Sequence, residues 1–222
     1  TEQVKYPLLV MPPLKLDHLR PMTDHTGMLQ HAIFTVPNYA EGYTSDDNAR
    51  ALMVSALLEA VGNSEALELG SRYLAFVWYA FNAETGRFRN FMDYQRNWLE
   101  EIGSDDSHGR TLWALGTVLG RSNMPTMHSM AGKVFEQALP AILGTTSPRA
   151  WAFALMGIDE YLQRFAGDRL ASQVRDELAG RLLTLYQNNR AENWLWYEDR
   201  LTYCNAALPH AMRHLQLRCT LL

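Results

Sequence analysis

The phrase Ser45-Asp46-Asp47-Asn48-Ala49-Arg50-Ala51-Leu52 returns 59 residues later as Ser104-Asp105-Asp106-Ser107-His108-Gly109-Arg110-Thr111-Leu112. A reordered version, Glu198-Asp199-Arg200-Leu201-Thr202-Tyr203, follows near the end of the chain. Each puts acids and an arginine immediately ahead of an apolar, small-residue stretch, which is the signature of a helix N-terminus. A start signal that recurs at this spacing constrains the architecture, because it implies one structural unit used repeatedly.

The rest of the chain follows a 3.6-residue period, with few alternating stretches, and predicts an all-α protein. Helices are expected after Asp46, Ser64, Asp105, Pro125, Pro148, Asp168 and Tyr203, with a short one over Lys15 to Met22. The weakly alternating run Gly86 to Tyr94 predicts a hairpin or ordered loop. The helices after Asp46, Asp105, Pro148 and Tyr203 are lean in side chains, as in Ala150, Ala152, Ala154 and Gly157. The intervening ones carry an ordinary amphipathic stripe. Alternation of this kind predicts αα-hairpins with close-packed inner helices and an outer layer. A parallel inner set would gather its N-termini, and hence the acidic phrases, on one rim.

Composition narrows the function. The 222 residues are 47% hydrophobic with a net charge of -4, so no broad basic surface exists for phosphate backbones and no nucleic acid is expected. Cys204 and Cys219 lack the spacing of a disulfide framework or zinc site, which predicts a reducing, cytoplasmic setting. The apolar opening Tyr6 to Leu14 is short and broken by prolines, so no membrane span is expected. His210 and His214 have the spacing of a metal pair but no third ligand or HExxH pattern, and neither metal nor cofactor is expected.

The bland explanation of each acidic pair is capping: serine accepts from free amides, and an acid in the first turn complements the helix dipole. A cap needs one oxygen. The second acid of Asp46/Asp47 and of Asp105/Asp106 adds repulsion that Arg50, Arg110 or the hydroxyls of a ligand must offset. Glycoside hydrolysis requires one protonated and one ionised carboxyl. Acids at helix N-termini suit the base, whereas Glu198, beside Asp199 and flanked by Trp194, Trp196 and Tyr197, suits the acid if those rings desolvate it. Trp194 and Trp196 would share one face of an extended segment and, with Tyr197 and Tyr203, stack on a sugar or fill the core. His108 is a candidate sugar contact or a structural partner of the acids. Arg87, Arg89, Asn90 and Tyr94 are candidate rim-loop contacts.

These phrases, together with Ser147-Pro148-Arg149-Ala150-Trp151 and Trp196-Tyr197-Glu198-Asp199-Arg200, resemble an (α/α)6 toroid of the six-hairpin glycosidase superfamily. The resemblance is to a bacterial domain fused to, or encoded beside, family 4-type glycosyltransferases. It implies a carbohydrate-binding mouth for an oligosaccharide or polysaccharide and a glycosyltransferase as partner. Six such hairpins need well over 300 residues at this repeat. The expectation for residues 1–222 is therefore a single incomplete toroid of about four hairpins, lacking its C-terminal ones, with ring closure by a second copy left open. The resemblance also places an aspartate where this chain has Cys204. A non-catalytic sugar-binding or scaffolding role, or a degenerate fragment, is the alternative to hydrolysis, and a histidine-dependent sugar epimerase ranks after these.

Overall fold

The computed structural model describes residues 14–219. The opening run before Leu14 and the side chains of His214 and Cys219 lie outside the described residues. Among the described residues the chain forms α1 (Ser45–Ala60), α2 (Glu65–Ala80), α3 (Asp105–Arg121), α4 (Pro125–Ala138), α5 (Pro148–Arg164), α6 (Arg169–Asn189) and α7 (Ala207–Cys219). Six start within two residues of the expected positions. The seventh, α7, starts later because residues after Tyr203 form a turn around Cys204, whose φ of 46° is not helical. The fold is all-α, built from helical hairpins. No helix among the described residues is long and apolar enough to cross a membrane.

Side-chain size decides which helices lie inside. Helices α1, α3 and α5 pack side by side, with α7 beside α5, while α2, α4 and α6 cover them. The contact between α3 and α5 is backbone against backbone. A Cβ added to Gly109 would sit 2.5 Å from the Ala150 carbonyl oxygen, one on Gly116 2.0 Å from that of Gly157, and one on Gly120 2.4 Å from that of Glu160. These pairs keep a nearly constant offset along both helices, so α3 and α5 run parallel. In α6, by contrast, only Ala171, Val174, Leu178 and Leu182 are buried, the single stripe of an outer helix.

The short elements depart from expectation for local reasons. Lys15 to Met22 makes turns and no regular helix: Arg20 N reaches Leu16 O at 3.1 Å and Met22 N reaches His18 O at 3.4 Å, but Pro21 between them has no amide to complete the ladder. Residues 86–94 do not pair with one another. Instead β5 (Arg87–Phe88) pairs antiparallel with β4 (Phe81–Asn82), and β6 (Phe91–Met92) with β3 (Tyr43–Thr44). A further hairpin, β1 (Ala32–Ile33) with β2 (Val36–Pro37), precedes them. The β3–β6 pair leads into α1 and clamps its first turn, since the Ser45 amide donates to the Asn90 carbonyl at 2.9 Å.

The glycine contact makes a sharp prediction. Gly116→Ala is expected to cost about 2–3 kcal/mol through overpacking, despite alanine's better helix propensity. Gly180→Ala, in α6 with nothing within 4 Å of the new methyl, is expected to gain up to about 1 kcal/mol. Denaturant unfolding of the two variants checks this, and equal effects would contradict the close contact.

Candidate functional site

The site is built by the caps of three parallel helices. Thr44, rather than Ser45, caps α1, its Oγ1 accepting from the Asp47 amide at 3.1 Å. Ser45 instead donates to the Arg89 carbonyl at 2.5 Å. Ser104 caps α3 and Ser147 caps α5, accepting from Ser107 N at 3.1 Å and from Ala150 N at 3.4 Å. The two acidic phrases are therefore offset by one residue in space. Counted from the caps, Asp46 is equivalent to Asp106 and Arg50 to Arg110, and Arg149 holds in α5 the place of those two aspartates.

That second helical position faces the rim. Asp46 Oδ2 pairs with Arg50 at 3.0 Å, and Asp46 Oδ1 lies 3.0 Å from Arg110 Nε in an ion pair whose alignment falls short of a hydrogen bond. Asp106 Oδ1 accepts from Ser147 Oγ at 2.5 Å, while its Oδ2 is buried without a hydrogen-bond partner. Burial pushes the Asp46 carboxyl above the usual aspartate range. The guanidiniums of Arg110 and Arg50 pull it down, Asp47 and Asp106 push it up, and the net direction is upward. Asp46 is thus the rim acid whose surroundings favour the protonated form, contrary to the expectation that a helix N-terminus makes it a base.

The other acids have defined partners. Asp47 accepts from Thr44 Oγ1 at 2.6 Å and pairs with Arg50, so it completes the α1 cap. Asp105 stitches two hairpins, its Oδ1 taking Arg87 Nη2 at 3.0 Å and its Oδ2 the Thr146 amide at 2.8 Å. Glu198 holds Arg149 through both oxygens, at 2.9 and 2.7 Å. Arg149, largely buried, also donates from Nε to the Tyr203 carbonyl at 2.5 Å, bonds Thr202 Oγ1, and lies 4.8 Å over the Tyr203 ring. Glu198 is thereby placed in an ion pair that anchors the loop before α7, a different setting from the aromatic pocket expected. Asp199 is exposed, 3.9 Å from Arg200, and does not join the cluster.

The aromatic residues are similarly divided. Trp194 closes a tight turn with Ala191 and donates its indole N–H to the Glu198 carbonyl at 2.6 Å. Trp196 meets Tyr197 edge-on at 5.7 Å, and Tyr197 is buried against Tyr186. Tyr203 is half exposed. Arg110 reaches from α3 over the Phe153 ring at 4.3 Å and donates to Cys204 Sγ at 3.6 Å, joining three elements.

His108 does not reach the rim. It is 0% exposed, 5.3 Å from the Phe88 ring, and approaches the Ala138 carbonyl without a well-formed hydrogen bond. Two residues beyond Asp106, its side chain lies on the core side of α3. Among the rim-loop candidates, Arg89 pairs with Glu101 at 2.7 Å, Tyr94 is half exposed, and Asn90 Oδ1 accepts from the Asp46 amide at 3.1 Å. Arg149 and Ser147 were absent from the expected site residues. Counting from the Ser147-Pro148 cap, with proline at the first helical position, puts Arg149 level with Asp46 and Asp106.

Burial and the neighbouring Arg87 push the His108 ring down to about 3, so the folded protein holds it neutral. The unfolded chain then binds the extra proton below about pH 6.5, and stability falls as the pH drops from there. His108→Asn is expected to flatten the dependence of stability on pH between about 6.5 and 4, measured by thermal unfolding across that range. An unchanged slope would contradict the burial argument.

No family model and no curated protein matches the chain. Solved structures do. A sugar epimerase from a ruminal bacterium superposes with a TM-score of 0.60 at 13% identity, over 74% of this chain and 50% of that one. A polysaccharide lyase superposes with a TM-score of 0.58 at 15% identity, over 82% of this chain and 64% of that one. The chain shares its helical-hairpin fold with these two proteins and spans one half to two thirds of their length.

Proposed function

We propose that the chain is a carbohydrate-active domain of the six-hairpin glycosidase type, which binds an oligosaccharide at the rim and acts on it through Asp46 and Asp106. The observation that carries this reading is the pair of equivalent carboxylates on adjacent parallel helices: Asp106 has a buried oxygen without a hydrogen-bond partner, and the buried Asp46 Oδ1 meets Arg110 only in a poorly aligned ion pair. A buried polar atom left without a hydrogen bond is uncommon in folded proteins and calls for an explanation, of which a catalytic role is one. The fold shared with a sugar epimerase and a polysaccharide lyase supports the choice of substrate class.

In the hydrolytic form, Asp46 gives its proton to the glycosidic oxygen as the bond to the anomeric carbon breaks. Asp106, steadied by the Ser147 hydroxyl, takes a proton from the water whose oxygen bonds to that carbon. Arg110, between Asp46 and Phe153, positions Asp46 and limits how far its carboxyl can rise. Arg50 does the same from the other side.

A second reading is a sugar-binding or scaffolding partner of a glycosyltransferase, without turnover. The pairing of Glu198 with Arg149 favours it, because the third acidic phrase then secures a loop and holds no acid for chemistry. The epimerase reading is weakened by His108, the histidine of the acidic phrases, which is buried and neutral.

Mannose- and glucose-containing oligosaccharides separate these readings. In the catalytic reading Asp46→Asn is expected to lower turnover by about 10²- to 10³-fold with binding altered only a few-fold. Binding without turnover by the wild-type chain would select the scaffolding role, and neither binding nor turnover would remove the carbohydrate assignment.

A further inference from the structure

We infer that Tyr39, backed by Tyr94, forms a sugar-stacking platform beside the rim, so that the site takes a chain of sugar units in preference to a single one. This rests on the reading of the rim as a carbohydrate site. Three tyrosine rings stand in series. Tyr94 lies 6.2 Å from Tyr43 with 13° between their planes, and Tyr39 lies 4.8 Å from Tyr94 with 26° between theirs. The innermost is buried and fixed, its hydroxyl donating to Asp24 Oδ2 at 2.5 Å. The outer two remain 46% and 52% exposed.

Both exposed rings ride on turns that are held in place. Tyr94 sits in a loop tied by Asp93, which accepts from the Asn97 amide at 2.8 Å and its side-chain nitrogen at 3.0 Å. Tyr39 begins a single 3₁₀ turn capped by Asn38, which accepts from the Ala40 amide at 3.2 Å. Gly42 brings the two turns together: its φ is +63°, and a Cβ there would lie 2.1 Å from the Met92 carbonyl oxygen. The stack is therefore preformed, which spares a ligand the entropy of ordering it.

Its position and chemistry point to sugar. Tyr43 leads through Thr44 directly into the cap of α1, so the platform lies on the same end of the molecule as Asp46 and Asp47. A pyranose offers a flat C–H face to a ring and hydroxyls to the phenolic edge, and tyrosine supplies both partners. Nucleic-acid bases also stack on aromatic rings, but such sites track a phosphate backbone with positive charge, and this chain carries a net -4.

The test is calorimetric titration of the full chain and of Tyr39→Ala, Tyr94→Ala and Tyr39→Phe with gluco- and manno-oligosaccharides of increasing length. The alanine variants are expected to weaken the longer oligomers by roughly three- to tenfold and leave the shortest ligand unchanged, with Tyr39→Phe, which keeps the ring face and loses only the hydroxyl, weakened less than Tyr39→Ala. Unchanged binding of the shortest ligand also shows that each variant is folded. If the wild-type chain binds these sugars and Tyr39→Ala keeps the full preference for longer ones, the platform is wrong and the rim reading survives. If the wild-type chain binds none of them, both fall.

Discussion

Backbone contact between α3 and α5 is the constraint from which the rest follows. Where Gly109, Gly116 and Gly157 remove the side chains that would separate two helices, the helices can lie parallel and touch along their length. Parallel helices put their N-termini together, and each N-terminus carries a partial positive charge and unpaired amides. A rim of this kind attracts carboxylates. Asp46 and Asp106 on the rim, and Asp105 donating no proton but accepting from the next hairpin's amides, answer that demand in different ways.

The answer is incomplete at one place. Asp46 has two arginines within ion-pairing distance and its carboxyl is still raised above the ordinary aspartate value, burial being the largest cause, with the charges of Asp47 and Asp106 adding to it. A purely structural acid would be arranged the other way, as Asp105 is: burial raises it, but the amides of Thr146 and Ser147 with Arg87 more than compensate and its net shift is downward. The contrast separates Asp105, lowered by its structural partners, from Asp46, the raised acid to which the proposed hydrolysis gives the proton-donating role. Arg149 gives the third inner helix a cation in the equivalent place, and its grip on Glu198 holds the loop that closes this side of the rim.

Much of this was legible in the sequence, since hairpin punctuation and helix starts depend on local chemistry that capping residues and prolines express directly. The lean helices announced the inner layer because close backbone approach leaves its mark as missing side chains. What escaped depended on contacts between distant residues. Thr44 took the cap from Ser45 because the β3–β6 pair occupies Ser45 with Arg89, a partner 44 residues away. Glu198 has aromatic neighbours in sequence, whereas its partner in space, Arg149, comes from α5, 49 residues away. His108 sits in the acidic phrase but on the core side of α3, a difference that needs the cap position to be known to the residue. The helix over Lys15 to Met22 failed on Pro21, a signal present in the sequence.

The account rests on Asp46 being raised while Asp105 is lowered, and carboxyl carbon NMR titration of the two side chains measures this directly. Asp46 is predicted to titrate above its ordinary value of 3.8 and Asp105 below it. Asp106→Asn should move Asp46 downward, by removal of a neighbouring negative charge. An Asp46 midpoint at or below that of Asp105 would contradict the assignment of Asp46 as the proton-holding group of the rim.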